Sequence, residues 1–442
     1  MMDLRDPIRL IPLLFLCAIA LGTMLLSLPF ATVDGVRAPI LTALFTSTSA
    51  VAVTGLIVVD TATYWSRFGQ TTILLLFQIG GLGIMTAATL FGLMAGRGFG
   101  LRERMATQIE RNRLETGDTA SVLKLIFVIT LSVEAVIAVI LSLRMMTTYG
   151  MPVGEAVWHG VFHAVSAFNN AGFSTHSDSV MGYQADPFIL GPIIFAVILT
   201  ALGFPVMQDI RTNRFNWRRW SLHTKITVAG TAVLLALGFV AILVMEWNNA
   251  ATLGAMTVDG KLLNAAFHSV MPRTAGFNSL DVSAFEDETI MVNYFLMFIG
   301  GGSAGTAGGI KVTTFVVLFA IMLSEIRRRR DAGLFQRRFG RAVERQALSV
   351  TILAAALIFT GTTYIASISS LPLDDILFEC ISAFSTVGLS TGITADLPPS
   401  GQVVIIALMF IGRVGTITVA TALALGNRDR PYRYPEENPI VG

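Results

Sequence analysis

Four short glycine-centred stretches recur along the 442-residue chain. They read STSAVAVTGLIV, VSAFNNAGFST, SVMPRTAGFNS and ISAFSTVGLST, and their shared glycines are Gly55, Gly172, Gly276 and Gly388, separated by 117, 104 and 112 residues. Three stretches place Ser-Ala six and five residues before the glycine, whereas the third has Val270-Met271 there. Backbone carbonyls arranged around a narrow axis can replace the hydration shell of a cation. Glycine suits such loops because four strands crowd one axis in conformations that a side chain would forbid.

The elements around these loops are apolar. The chain is 53% apolar and only 14% charged, which is too few charges for a water-soluble protein of this size. Cys17 and Cys380 are the only cysteines, so neither a disulfide framework nor a thiolate metal site is expected. Eight stretches are long enough to cross a bilayer: 9–28, 71–95, 121–143, 188–206, 224–245, 289–326 (interrupted), 348–367 and 402–426.

A shorter, semi-apolar run lies between the two members of each successive pair of these spans. The runs are ILTALFTSTSAVA, EAVWHGVFHAVSAF, KLLNAAFHSVM and ILFECISAF, and each is too short to cross the membrane. Each run ends in one of the glycine loops. We therefore interpret them as re-entrant segments, whose irregular backbone is tolerated where it lines a wet path.

The distribution of basic residues supports this arrangement. The N-terminal segment, the three loops that join one pair of spans to the next and the C-terminal tail hold 24 of the 31 basic residues. Short cytoplasmic loops are enriched in Lys and Arg, so both termini are expected in the cytoplasm. If the short runs crossed the bilayer, successive basic loops would lie on opposite sides of the membrane and the asymmetry in basic residues would vanish. Acidic residues collect on the outer side, where they would concentrate cations or are simply tolerated.

The repeated unit of helix, half-helix, glycine loop and helix predicts the architecture. We expect an all-α polytopic membrane protein with four pseudo-symmetric repeats around one central pore. The repeats would span 1–96, 97–210, 211–330 and 331–442, with pore loops near 39–56, 155–174, 261–278 and 375–390. A turn between helices explains any single loop, but it explains four phased copies poorly.

Several of these segments resemble a known family. The four loops, the segment FIGGGSAGTAGGIKVTT and the segment FIGRVG are similar to those of the Trk/Ktr/HKT superfamily of potassium transporters, and most of all to the bacterial KtrB-type potassium-translocating subunit. The resemblance covers residues 9–442. It implies potassium uptake, often sodium-dependent, across the bacterial cytoplasmic membrane. It also implies a homodimer with one pore per protomer, seated on a cytoplasmic nucleotide-binding ring of KtrA-type regulatory subunits.

The resemblance implies a selectivity filter of twelve residues. Position by position, these are Val53, Thr54, Gly55, Asn170, Ala171, Gly172, Thr274, Ala275, Gly276, Thr386, Val387 and Gly388. All four glycines are present, as in potassium-selective members, whereas members with serine in the first loop tend toward sodium. Only the fourth loop reads Thr-Val-Gly, the opening of the channel sequence TVGYG, so the ring is chemically asymmetric and discrimination against sodium stays open.

The sixth predicted span contains six glycines within ten residues. Glycine in a helix interior costs about 0.5–1 kcal/mol relative to Ala, so this stretch should be unwound. It is either a static kink for close helix packing or a mobile constriction. The resemblance implies a gate, formed by Gly300, Gly301, Gly302, Ser303, Ala304, Gly305, Thr306, Ala307, Gly308, Gly309 and Arg413. The spacing around Lys311 does not match a phosphate-binding loop, so no nucleotide is expected to bind this chain.

A few ionisable residues fall inside the predicted spans. Arg413 is either a positive charge that repels cations near the gate or a structural ion pair or carbonyl anchor. Glu134 is expected to form a helix-helix hydrogen bond, and snorkelling explains Lys311. His159 and His163 share a helical face but lack a third ligand, so we expect them to pack the pore helix. The arginines at 327–330 form an orientation signal or a docking surface for a regulatory ring or anionic lipid.

Two other functions compete with a cation pore. A secondary carrier, with less selective sodium and potassium transport, typically shows two related halves with broken helices in corresponding positions. Here the repeat is fourfold and a single span is interrupted by glycines. An intramembrane enzyme would need paired acids or an acid-histidine set at membrane depth, and the spans offer only Glu134 and Arg413, so no enzymatic activity is expected.

The filter assignment makes a direct prediction. Replacing Gly388 or Gly276 with Ser should leave the fold intact and raise sodium flux relative to potassium flux, because a side chain would disturb the spacing of the carbonyls. The measurement is the ratio of the two fluxes in cells that produce each variant. An unchanged ratio in both variants would count against the filter assignment.

Overall fold

The computed structural model describes residues 7–95, 119–214, 216–329 and 331–415. Within these ranges the regular secondary structure is helical, apart from one hairpin of two two-residue strands. Expectations about residues 1–6, most of the basic loop between the first two repeats, and the tail from 416 onward lie outside the described residues.

The helices follow the predicted alternation of long and short segments. They are α1 (Pro7–Leu26), α2 (Ile40–Val51), α3 (Arg67–Ala95), α4 (Thr119–Tyr149), α5 (Val153–Asn169), α6 (Pro187–Leu202), α7 (Phe204–Asn213), α8 (Leu222–Met245), α9 (Val258–Val270), α10 (Asp287–Phe298), α11 (Val312–Ile326), α12 (Arg341–Ile368), α13 (Leu373–Ser385) and α14 (Pro399–Phe410). A π-helical turn, Ile411–Gly415, continues α14. Strands β1 (Gly333–Leu334) and β2 (Arg337–Arg338) pair antiparallel.

The four short runs are helices too short to cross a bilayer. They are α2, α5, α9 and α13, with 12, 17, 13 and 13 residues. Helices α2, α5 and α13 each begin directly after a proline, whose fixed φ favours the start of a helix. Helices α2, α5 and α13 each pack against both helices that flank them in the chain, which holds their glycine loops between two helices. Helix α9 packs against α8, which precedes it, and against α6.

Among the described residues, three helices are long and apolar enough to cross a membrane. They lie at Lys124–Tyr149 within α4, Leu222–Met245 and Arg341–Ile368, and α6 with α7 forms a fourth if the bent pair counts as one span. The described parts of α1, α11 and α14 are shorter apolar helices. The predicted interruption of the sixth span is confirmed, because α10 ends at Phe298 and α11 begins at Val312.

The prediction of one continuous helix over 188–206 is wrong. Helices α6 and α7 are bent by 91° at Gly203. Gly203 has a φ of 88°, which suits glycine alone, and Pro205 in the first turn of α7 removes a backbone donor. The expectation that a single span is interrupted is therefore also wrong, and the π-helical turn after α14 adds a third irregularity.

A buried polar contact links three helices of the first two repeats. Gln78 of α3 and Asn169 of α5 each donate a hydrogen bond of 3.3 Å to the carboxyl group of Glu134 in α4. Asn169 also donates to the side-chain oxygen of Gln78 at 2.5 Å. The prediction that Glu134 forms a helix-helix hydrogen bond is confirmed.

Close packing between α2 and α3 depends on a glycine. A Cβ added to Gly80 would lie 2.1 Å from the carbonyl oxygen of Val51, the last residue of α2. We expect Gly80→Ala to destabilise the protein by about 1–3 kcal/mol, because the helices must move apart. The control is Gly191→Ala in α6, where no atom lies within 4 Å of the added Cβ. Thermal unfolding in detergent measures both, and equal midpoints for the two variants would contradict this packing.

Candidate functional site

The four repeated glycines meet in a closed ring, in the order of the chain. A Cβ added to each glycine would lie less than 3.0 Å from the carbonyl oxygen of the residue before the next loop's glycine. The pairs are Gly55 with Ala171 (2.5 Å), Gly172 with Ala275 (2.9 Å), Gly276 with Val387 (2.5 Å) and Gly388 with Thr54 (2.1 Å). The fourth loop thus closes onto the first, and we call these eight residues the glycine ring. Any side chain at the four glycines would displace a neighbouring strand, so the expectation that Gly388→Ser or Gly276→Ser leaves the fold intact does not extend to the ring itself.

The four loops share one unusual backbone shape. The glycines have φ values of 94°, 70°, 69° and 91°, all in the left-handed region. The residue two positions before each glycine is also left-handed: Val53 (57°), Asn170 (59°), Thr274 (80°) and Thr386 (50°). A β-branched residue in this region is an outlier that costs on the order of 1–3 kcal/mol. The surrounding packing must therefore hold these loops in place.

A helix-ending motif explains the Ser-Ala pair that precedes three of the glycines. In these loops the serine and alanine carbonyls accept the 6→1 and 5→2 hydrogen bonds of a Schellman motif. The 6→1 bonds join Thr54 to Ser49 (2.8 Å), Ala171 to Ser166 (2.8 Å) and Val387 to Ser382 (2.9 Å). The serine side chains add a second contact, since Ser49 and Ser382 accept a hydrogen bond from the N–H of Gly55 and Gly388.

The third loop departs from this motif, as its sequence does. Here Ala275 donates to Met271, four residues back, and Val270 offers no hydroxyl. Arg273 follows in this loop and is buried, with 3% of the residue exposed. It donates to the carbonyl oxygens of Gly300 at 3.1 Å and Thr231 at 3.4 Å. Sequence reasoning missed this role, although the substitution of Pro-Arg in one loop of four was visible.

A cleft of about 400 Å³ opens onto one side of the glycine ring. All four glycines line it, together with Asp60, Asp178, Asp281 and His176. Burial lowers the pKa of His176 below its ordinary value, and the nearby charge of Asp178 opposes that shift. The imidazole is therefore neutral near pH 7, so the charge of the cleft is set by its acids.

Residues 299–311 form a compact loop between α10 and α11, which we call the glycine-rich loop. Its two ends are joined by backbone hydrogen bonds from Gly300 to Ile310 (2.9 Å), from Ile310 to Phe298 (3.2 Å) and from Val312 to Gly301 (3.0 Å). Most of its residues are buried, and only Ser303, Ala304 and Lys311 are half-buried. A loop buried in protein can keep irregular backbone inside a membrane because its polar groups are paired.

The glycine-rich loop contacts both the start of the fourth glycine loop, directly before the glycine ring, and the break in α6–α7. A Cβ added to Gly308 would lie 2.5 Å from the carbonyl oxygen of Ser385, next to Thr386 of the fourth loop. On the other side, Gly302 donates to Ala201 at 2.6 Å and Phe204 donates to Ala304 at 3.3 Å. The loop therefore bridges two repeats directly beside the ring.

Positively charged side chains hold the glycine-rich loop by its carbonyl groups. Arg413, which is 2% exposed, donates to the carbonyl oxygen of Thr306. Lys311 donates to Ala307 at 2.6 Å instead of extending toward solvent, so snorkelling does not describe it. In the described part of the chain neither side chain forms an ion pair. Of the two interpretations of Arg413, the carbonyl anchor matches its contact with Thr306.

The predicted packing role of the pore-helix histidines is confirmed. His163 contacts Ser174 at 2.9 Å and His159 contacts Thr175 at 2.6 Å, while the ring of His176 stacks on both. Among the described residues no group of three His, Cys, Asp or Glu side chains could hold a metal ion. Sequence reasoning also missed Glu379, a fully buried acid in α13.

Comparison with known proteins gives one consistent family. The model of the TrkH family, described as a cation transport protein, matches residues 18–430. The chain is 39% identical to Ktr system potassium uptake protein B of Bacillus subtilis, covering 99% of this chain and 97% of that protein. It is 36% identical to the Ktr system potassium uptake protein B of Vibrio alginolyticus, covering 98% and 94%.

Two further comparisons extend this result. The potassium/sodium uptake protein NtpJ of Enterococcus hirae is 36% identical, covering 99% of this chain and 97% of that protein. The crystal structure of the potassium transporter TrkH from Vibrio parahaemolyticus shares the fold, with a TM-score of 0.73 at 20% identity over 95% of this chain and 85% of that one. Apolar membrane-spanning helices, family model and full-length relatives agree, and the chain belongs to the TrkH family of cation transport proteins.

Proposed function

We propose that the protein transports potassium ions into the cell across the bacterial cytoplasmic membrane, through the glycine ring. The contact of each glycine with the next loop, and of the fourth loop with the first, carries this proposal. It places backbone from four loops around one axis, which is what a dehydrated cation requires. The relatives named as potassium uptake proteins support potassium as the ion.

The filter comprises the twelve residues from Val53 to Gly55, Asn170 to Gly172, Thr274 to Gly276 and Thr386 to Gly388. Helices α2, α5 and α13 lead directly into this ring through their C-terminal ends, and the partial negative charge of a helix C-terminus favours a cation there. The buried hydroxyls of Thr54, Thr274 and Thr386 have no partner among the described residues and add oxygens beside the path. The acids of the outer cleft attract cations toward it.

Sodium takes part in this transport. The name of the Enterococcus hirae relative includes both ions, and only one of the four loops here reads Thr-Val-Gly. A ring with four different sequences does not present four equal sets of ligands. We therefore expect a preference for potassium that leaves measurable sodium flux.

The gate comprises the glycine-rich loop, from Gly300 to Gly309, together with Arg413. The loop lies against the fourth filter strand at Gly308 and is held at Thr306 by Arg413. Releasing that hydrogen bond would free the loop and move a positive charge away from the path. A homodimer and a cytoplasmic nucleotide-binding ring of KtrA-type subunits would supply the control, as the resemblance to Ktr systems implies.

A secondary carrier remains the second candidate, because two helices are broken at neighbouring positions. The bend at Gly203 and the loop after Phe298 contact each other, as broken helices do at carrier binding sites. Current through single molecules distinguishes the two. A pore conducts ions down the electrochemical gradient, and its current does not depend on a coupled ion. A carrier completes one conformational cycle for each ion that it transports.

Rubidium uptake tests the proposed function. We expect cells that lack their own potassium transporters to take up rubidium when they produce this protein, and potassium to compete better than sodium. The assay is run with and without sodium and with and without the cytoplasmic partner. Absence of rubidium uptake in every condition, with the protein present in the membrane, would contradict potassium transport.

Shortening the glycine-rich loop tests the gate. Deletion of residues 303–308 should raise ion flux and weaken its control by the regulatory partner, because the deleted segment carries the contacts to Phe204, Ser385 and Arg413. Tracer flux into liposomes that contain the purified complex measures both effects. A deleted protein that folds but conducts less than the original would assign the loop a structural role.

A further inference from the structure

Glu379 lies in α13, nine residues before Gly388, and is fully buried. Its carboxyl group accepts hydrogen bonds from the hydroxyls of Ser390 and Thr394, the latter at 3.1 Å. Ser390 is the second residue after the ring glycine. The side chain therefore ties the pore helix to the strand just outside the glycine ring.

The second loop has the same connection with different chemistry. His163 lies nine residues before Gly172 and is 1% exposed. Its Nε2 contacts the hydroxyl of Ser174, the second residue after that glycine, at 2.9 Å. Two loops have thus placed a polar pair at the same two positions of the repeat.

The first and third loops lack this connection. The corresponding pairs are Thr46 with Ile57 and Phe267 with Asn278, and the hydroxyl of Thr46 has no partner among the described residues. In the third loop His268 instead accepts the backbone N–H of Leu280 at 3.2 Å. Because the ring runs through the loops in chain order, the two tied strands lie opposite each other.

We propose that Glu379 is a positioning residue for ion selectivity, with His163 in the equivalent role on the opposite strand. The proposal rests on the glycine ring being the filter. The left-handed residue before each ring glycine strains the strand. The carboxyl group of Glu379 holds the fourth strand on the other side of its glycine, through Ser390 and Thr394. Two fixed strands facing each other set the width of the ring, while the other pair can adapt. Loss of the tie lets the ring adjust to the smaller sodium ion.

Charge alone does not account for this arrangement. Among the described residues no Lys or Arg pairs with Glu379, and its hydrogen bonds come from side chains of the filter strand. Glu246 provides a contrast, since it is equally buried but accepts hydrogen bonds from Asn249 and Thr252 at the end of α8, away from the ring. Glu379 therefore contacts residues that follow a ring glycine, whereas Glu246 contacts residues that follow α8.

The test compares matched variants in potassium-transport-deficient cells that also produce the cytoplasmic partner. The readout is the ratio of rubidium uptake to sodium uptake, normalised to the amount of folded protein found by size-exclusion chromatography. We expect Ser390→Ala to lower this ratio roughly tenfold, the effect of one lost hydrogen bond. Glu379→Gln should lower the ratio in the same direction, because its amide offers one acceptor oxygen to Ser390 and Thr394 where the carboxyl group offers two. The double variant should lower the ratio by less than the product of the two single effects, because both substitutions act on the same contact. Ser174→Ala should act in the same direction.

Glu246→Gln is the control, and its ratio should equal that of the unmodified protein. An unchanged ratio in folded Glu379→Gln and Ser390→Ala would overturn the proposal, as would an equal fall in the control. If Glu379→Gln does not fold, the uptake ratio of Ser390→Ala alone tests the proposal. A protein without rubidium uptake before any substitution would instead refute the proposed function, so the two failures are distinct.

Discussion

One constraint organises the structure: four backbone strands must meet at a single axis with no side chain between them. Each ring glycine lies against the carbonyl group that precedes the next one, so the space for a Cβ does not exist at any of the four. A cation that loses its water needs oxygens from several directions at once. Backbone carbonyls can supply them only if the strands approach this closely.

The cost of that approach is visible in the surroundings of the ring. Val53, Thr274 and Thr386 adopt left-handed conformations that β-branched residues avoid. The Schellman motifs at the ends of three pore helices, and the serine hydroxyls at the first and fourth glycines, hold the strands against that strain. The outer contacts of Glu379 and His163 complete this support on two opposite strands.

Irregular backbone recurs in the helices that follow the loops. The bend at Gly203, the glycine-rich loop and the π-helical turn at Ile411–Gly415 lie in three of the four. Arg273 and Arg413 donate to carbonyl groups at two points of the glycine-rich loop, Gly300 and Thr306. These contacts connect the third of the four repeated loops and the last helix to the glycine-rich loop, so a movement of the glycine-rich loop would displace both.

The membrane setting, the four short helices and the interruption after Phe298 follow from the sequence alone, because apolar length and glycine content are local properties. The sequence also identified the departure of the third loop at Val270. The tertiary structure alone decided that Arg273 reaches Gly300, that Glu379 holds Ser390 and that the helix over 188–206 breaks at Gly203. Those features depend on which elements pack together, and residues distant in the chain supply the partners that make a buried charge or a broken helix tolerable.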